Sequence, residues 1–135
     1  MNNSDDPYKD IPLGKIKRVY VCSPVKGDQD DPMIIKDNLA RAVLYSKYVY
    51  DKGYFPMCPH VYIENATGLN EADNPADRKG AIRLGLEMLL LSDELWVFGC
   101  KEGEESSGMK KEIEEAKKRN MPIYIICKNE RSKKN

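Results

Sequence analysis

The sequence predicts a single α/β domain built on a doubly wound parallel sheet, and three observations predict it. Four short apolar runs rich in β-branched and aromatic residues, at 16–22, 54–58, 94–98 and 122–127, alternate with longer stretches that carry helical periodicity. Two such runs with a helix between them suggest a βαβ crossover, and hence parallel strands. The length of 135 residues and the hydrophobic content of 41% suffice for one core, so no second domain is needed. The chain divides into a flexible N-terminal arm (1–15), the folded domain (16–128) and a basic C-terminal tail (129–135).

The first strand, Ile16 to Cys22, has Val19, Tyr20 and Val21 at its centre and stops at the loop Ser23-Pro24-Val25-Lys26-Gly27-Asp28. A hydroxyl, a cation and a glycine just beyond a strand stand where an open α/β sheet binds ligands. The loop has neither GxGxxG nor the Walker lysine pattern, and a plain surface turn remains the alternative. Asp31-Pro32 reads as the cap and first position of a helix ending near Lys52, with Gly53 as its stop. Leu39, Val43 and Tyr50 mark its expected inward face. Tyr45, Tyr48 and Tyr50 could stack on a base, but at helical spacing they read more simply as packing residues.

The second strand, Tyr54 to Cys58, leads into Pro59-His60-Val61-Tyr62. His60, the one histidine of the chain, is either a structural hydrogen-bonder or a site residue at a strand's carboxyl end. Residues 64–75 are polar and rich in turn formers, which predicts a loop serving as a lid or an oligomer contact. Asp77 is the expected cap of a helix over 78–91 with Ile82, Leu86, Leu89 and Leu90 inward.

The third strand, Glu94 to Phe98, ends at Gly99, and after an acidic loop Ser106-Ser107-Gly108 opens a helix with Met109, Ile113 and Ala116 on its inward stripe. Glu112 borders that stripe near the helix start. It is either an ordinary glutamate stabilised by the helix dipole or an acid held at a site. The fourth strand runs from Pro122 to Cys127. Right-handed crossovers then give a Rossmann- or flavodoxin-like sheet of four to five strands in the order 2-1-3-4, with a crevice where strands 1 and 3 diverge.

Lys plus Arg and Asp plus Glu number 22 each, so no net charge draws the protein to polymeric nucleic acid or an anionic membrane. No apolar run approaches the ~20 residues of a membrane span, and the N-terminus lacks a signal-peptide pattern; a cytoplasmic location is expected. Cys22, Cys58, Cys100 and Cys127 show no CxxC pairing and read as small buried hydrophobes, with a metal or redox role as the lesser alternative. No cofactor and no metal is expected.

These residues resemble the nucleoside 2-deoxyribosyltransferase family, and within it the branch that hydrolyses 2'-deoxynucleoside 5'-monophosphates; small bacterial and phage proteins are similar too. The similarity spans about residues 17–127 and rests on VYVCSPVKGD, CPHV, SDELWVFG and SSGMKKE. It implies Glu112 as nucleophile, His60 as a second catalytic residue at the pocket, Tyr20 near the sugar, and Ser23, Lys26 and Gly27 around a 5'-phosphate. It further implies Ser106 as a phosphate contact, Gly108 as a close-approach turn and Asp93, the acid that leads the third strand, as a substrate-binding residue. Ionisation of Glu112 would be favoured by the helix N-terminus. One departure stands out: where the family has an aspartate that assists base departure, this chain has Gly85. The resemblance therefore implies an N-glycosidase or deoxyribosyltransferase acting on a nucleoside 5'-monophosphate, in a homodimer or larger assembly. The alternatives are a catalytically weak or inactive nucleotide binder that senses or sequesters a signal, and a structural interaction protein.

Overall fold

A computed structural model describes residues 5–25, 31–101 and 103–126. Four parallel strands, β1 (Arg18–Cys22), β2 (Phe55–Met57), β3 (Glu94–Val97) and β4 (Ile123–Ile125), form one sheet in the order β2-β1-β3-β4. The predicted order holds. In β1, Tyr20 pairs with Met57 on one side and Leu95 on the other. Pro56 cannot donate to a ladder, and it is tolerated because β2 is an edge strand.

Both faces of the sheet are covered, so 19–22 of β1 and 95–97 of β3 run apolar without alternation. Val19 and Val21 face α1 (Pro32–Asp51) in a cluster with Ala42, Val49, Trp96 and Phe98. Tyr20 and Cys22 point the other way, joining Leu89 of α3 (Arg78–Leu90) and Met109 and Ala116 of α4 (Ser107–Lys118). A single α2 (Pro59–Thr67) follows β2, and a short 3-10 turn (Pro75–Asp77) precedes α3.

Several expectations need correction. On α1 the buried positions are Ile35, Ala42 and Val49, spaced by seven, whereas Val43 and Tyr50 are exposed. Leu39 is half-buried against Val25, Ile35 and Ala72. Tyr45 stacks on Phe98 at 4.9 Å between ring centres and Tyr48 meets Trp96 and Phe98 edge-on, so these two rings pack the core.

The stretch predicted as a loop from 64 begins inside α2. Pro59 at the first helical position and Gly68, left-handed at φ 79°, bound this helix, and its polar surface is the face turned to solvent. Asp77 does not cap α3 with its side chain. Asn74 caps the 3-10 turn instead, and Asp77 accepts from the Asn70 amide at 2.8 Å.

On α3 only Gly85 and Leu89 are buried; Ile82, Leu86 and Leu90 are 47%, 37% and 45% exposed. The missing side chain at Gly85 brings the helix down on Tyr20 and Pro59. That contact line rotates the bulky stripe outward.

Candidate functional site

Three chain segments beyond the carboxyl ends of the strands converge on a cavity of about 190 Å³. The loop after β1 supplies Ser23, the first turn of α2 supplies Pro59 and His60, and the start of α4 supplies Ser106 to Met109 and Glu112. The side of α3 closes it through Arg78, Ile82 and Gly85. Gly99 ties two of the loops together. At φ 83° it adopts a conformation that favours glycine, and a Cβ there would lie 2.8 Å from Pro24 Cδ.

Glu112 is the acid at the centre of this arrangement. Tyr20, fully buried in the sheet, donates its hydroxyl to Glu112 Oε2 at 2.9 Å. Burial pushes the Glu112 carboxyl up to about 7, against the opposing pull of hydrogen bonds from Tyr20 and Cys22 and of the Arg78 charge. The helix N-terminus expected to favour ionisation of Glu112 lies more than a turn away, and desolvation is the largest influence on the carboxyl. The Tyr20 hydroxyl is itself raised well above its ordinary range, chiefly by burial and then by the Glu112 charge, so it stays a donor.

His60 lies in the first turn of α2 with its Nε2 buried. Burial, reinforced by the Arg78 charge and opposed by a backbone hydrogen bond at Ser23, lowers it to about 4. It is thus neutral at pH 7. Among the described residues neither His60 Nε2 nor Ser23 Oγ has a hydrogen-bond partner, and both residues line the cavity.

Ser106 is the N-cap of α4, its Oγ accepting from the Met109 amide at 3.4 Å. The hydroxyl proton is left to donate. Gly108 is inside the first turn of α4 rather than in a loop, and a Cβ there would meet Arg78 Nη2 at an ordinary 3.8 Å. No steric demand for glycine comes from the protein itself at this position.

Two sequence-derived assignments do not reach the cavity directly. Tyr20 lies behind Glu112 and donates to its carboxyl. Asp93 stands before β3, at the amino end of the sheet, where its Oδ2 accepts from the Arg18 amide at 2.8 Å. Parallel strands put that end opposite to the cavity, so Asp93 splices β1 to β3. Lys26 and Gly27 lie outside the described residues, as does Cys127.

Arg78 and Glu71 are wall residues that the sequence reading passed over. They form an ion pair at 2.8 Å, with side-chain exposures of 31% and 12%. The signal for Arg78 was its place: a cation in the first turn of a helix opposes the dipole and needs a reason. Among the described residues, no cluster of three or more His, Cys, Asp or Glu could hold a metal ion, and no helix is long and apolar enough to cross a membrane.

No curated protein matches the chain. Among solved structures, it is similar to a 2-deoxyribosyltransferase from the psychrotolerant bacterium Bacillus psychrosaccharolyticus, with a TM-score of 0.55 and 16% identity over 80% of this chain and 70% of that one. At that identity the likeness shows a shared fold. A family model, the Domain of unknown function (DUF7768), matches residues 17–126, from the start of the sheet to its last strand. The chain belongs to the DUF7768 family.

Proposed function

We propose that the cavity binds a nucleoside 5'-monophosphate and that Glu112 cleaves its N-glycosidic bond. The observation that carries this reading is the Tyr20–Glu112 pair at the cavity, a carboxylate held in one orientation by a fully buried hydroxyl. A Glu112 oxygen attacks the anomeric carbon, the carbon–nitrogen bond breaks with its electron pair going to the base, and the base takes up a proton. Water then hydrolyses the glycosyl ester, restoring the carboxylate and releasing the sugar phosphate. Tyr20 holds the attacking group in place, and Ser106 and the first amides of α4 hold the phosphate. The nucleoside chemistry named for the structural neighbour is in keeping with this reading.

The test is incubation with each common ribo- and deoxynucleoside monophosphate, with free base followed by chromatography. Release of base from at least one of them is expected. If none is released while a nucleotide raises the melting temperature, the protein is a nucleotide binder.

Gly85 is the observation that favours that second reading, because no acid stands beside the leaving group at this place. A Cβ added there would lie 3.5 Å from Tyr20 Oη and 3.7 Å from Pro59, ordinary contacts for a methyl group. Where Gly85→Asp folds, its carboxyl should supply a proton to the departing base and raise kcat by up to about 10²-fold. An unchanged or lower kcat in the folded variant would mean that the missing acid does not limit this protein.

The exposed stripe Ile82, Leu86 and Leu90 beside the cavity mouth supports a homodimer. Sedimentation at micromolar concentration should give twice the monomer mass, and Leu86→Arg should halve it. A monomeric wild type would remove the assembly from the proposal.

A further inference from the structure

The Glu71–Arg78 pair is an odd construction for a brace. Arg78 is the first residue of α3, where the dipole disfavours a cation, and its guanidinium also faces the start of a second helix, with Nη2 beside Gly108 of α4. Two helix N-termini and a guanidinium therefore converge on one wall of the cavity. Glu71 is the carboxylate that answers them, bound to Nη1 at 2.8 Å.

Glu112 also feels the Arg78 charge, but the ion pair at the guanidinium is with Glu71. His60 and Ser23 are neutral there, and each carries a buried polar atom without a partner among the described residues. Glu112 is engaged by Tyr20. Glu71 belongs to the loop 68–74, which is held by Asn70 through the Ala72 and Asp73 amides and the Asp73 carboxylate. It also borders a smaller cavity of about 20 Å³, lined as well by Leu39, His60, Glu64 and Leu69.

We propose that Arg78 is the residue that selects an anionic ligand, and that Glu71 is a built-in competitor that occupies the guanidinium until a phosphate-class oxyanion displaces it. The oxyanion would bridge Arg78 and the first turn of α4. The identity of that anion as the ligand's 5'-phosphate rests on the nucleotide reading above; the competition itself does not. A guanidinium with a partner already in place is held in the geometry the oxyanion needs, so little ordering remains to be done on binding. The competitor also discriminates. A neutral nucleoside cannot displace a carboxylate, whereas a dianion can.

The experiment is a calorimetric titration of inorganic phosphate into the full chain and its variants at constant salt. Arg78→Gln should weaken phosphate binding about 10- to 100-fold, as loss of a charge-assisted pair does. Glu71→Gln should do the opposite and tighten it about 3- to 10-fold. Arg78→Lys should fall between wild type and Arg78→Gln, since the charge stays but the fork is lost.

The opposite signs are the distinguishing result. A pair that merely braces the wall predicts that both substitutions weaken binding together, and that outcome overturns the proposal. So does phosphate binding that ignores Arg78→Gln, or a wild type that binds no phosphate. If Arg78→Gln does not fold, the sign of Glu71→Gln decides alone. Opposite signs in a protein that releases no base from any nucleotide would defeat the catalytic reading and leave the charge competition standing.

Discussion

Glu112→Gln should reduce base release from the best nucleotide at least about 10³-fold while leaving phosphate affinity within about threefold of wild type. Gln keeps the size of the side chain and can still take the Tyr20 hydrogen bond through its carbonyl oxygen, so the cavity wall survives. What it lacks is an ionisable oxygen that can bond to the anomeric carbon. The same chemistry fixes the pH dependence of the wild type. With Glu112 at about 7, kcat/KM should rise with pH as the carboxylate ionises and level off above about 8. Tyr20→Phe removes a hydrogen bond that favours the ionised form, so it should move that rise to higher pH. Steady-state rates from pH 5 to 9 check both statements. Turnover by Glu112→Gln equal to wild type would remove Glu112 from the reaction.

The second large effect is on stability, where Glu112 and His60 oppose each other. Glu112 rises from its ordinary 4.5 to about 7, so the folded state binds more protons than the unfolded state between those values. Its contribution to stability is therefore lost as pH rises from about 4.5 to 7, up to about 3 kcal/mol in all. His60 falls from 6.5 to about 4, so there the unfolded state binds more protons. Its contribution is lost as pH falls through that window, again up to about 3 kcal/mol.

Between about pH 4.5 and 6.5 the two slopes cancel to a large extent in wild type. Single substitutions uncover them. Denaturant unfolding of Glu112→Gln should show stability rising with pH from about 4 to 6.5, and His60→Gln should show it falling from about 4.5 to 7. Parallel curves for wild type and the two variants would mean that neither group is buried as described.

The alternation of four apolar runs with capped helices was enough to give the parallel sheet and its order, because hydrophobic period and cap chemistry are local properties. Asp31 and Pro32 begin α1 where the sequence puts them, and Ser106 caps α4. Which helix face turns inward was less legible. On α3 the sequence favours the leucine stripe, but helix and sheet approach most closely where a side chain is missing, and Gly85 decided the rotation. A hydrophobicity pattern records which side chains prefer burial, and it is blind to where the backbone can come nearest.

The same divide runs through the site. That Glu112 borders a buried stripe, that Ser106 opens α4 and that His60 follows a strand could be read from spacing alone. The elevation of Glu112 to about 7 depends on desolvation and on Tyr20, 92 positions away in the chain. Asp93 looked like a site residue in sequence, yet the parallel direction of the strands carries it to the far end of the sheet, onto the Arg18 amide. Arg78 opens α3 and Glu71 belongs to a loop, and the sequence says only that they are charged; the tertiary structure sets one against the other beside α4. The sequence by itself determined the architecture and the end of the sheet where the cavity opens, since both follow from local periodicity and handedness. Only the tertiary structure decided protonation and pairing, because an electrostatic environment is the sum of groups that the chain brings together from a distance.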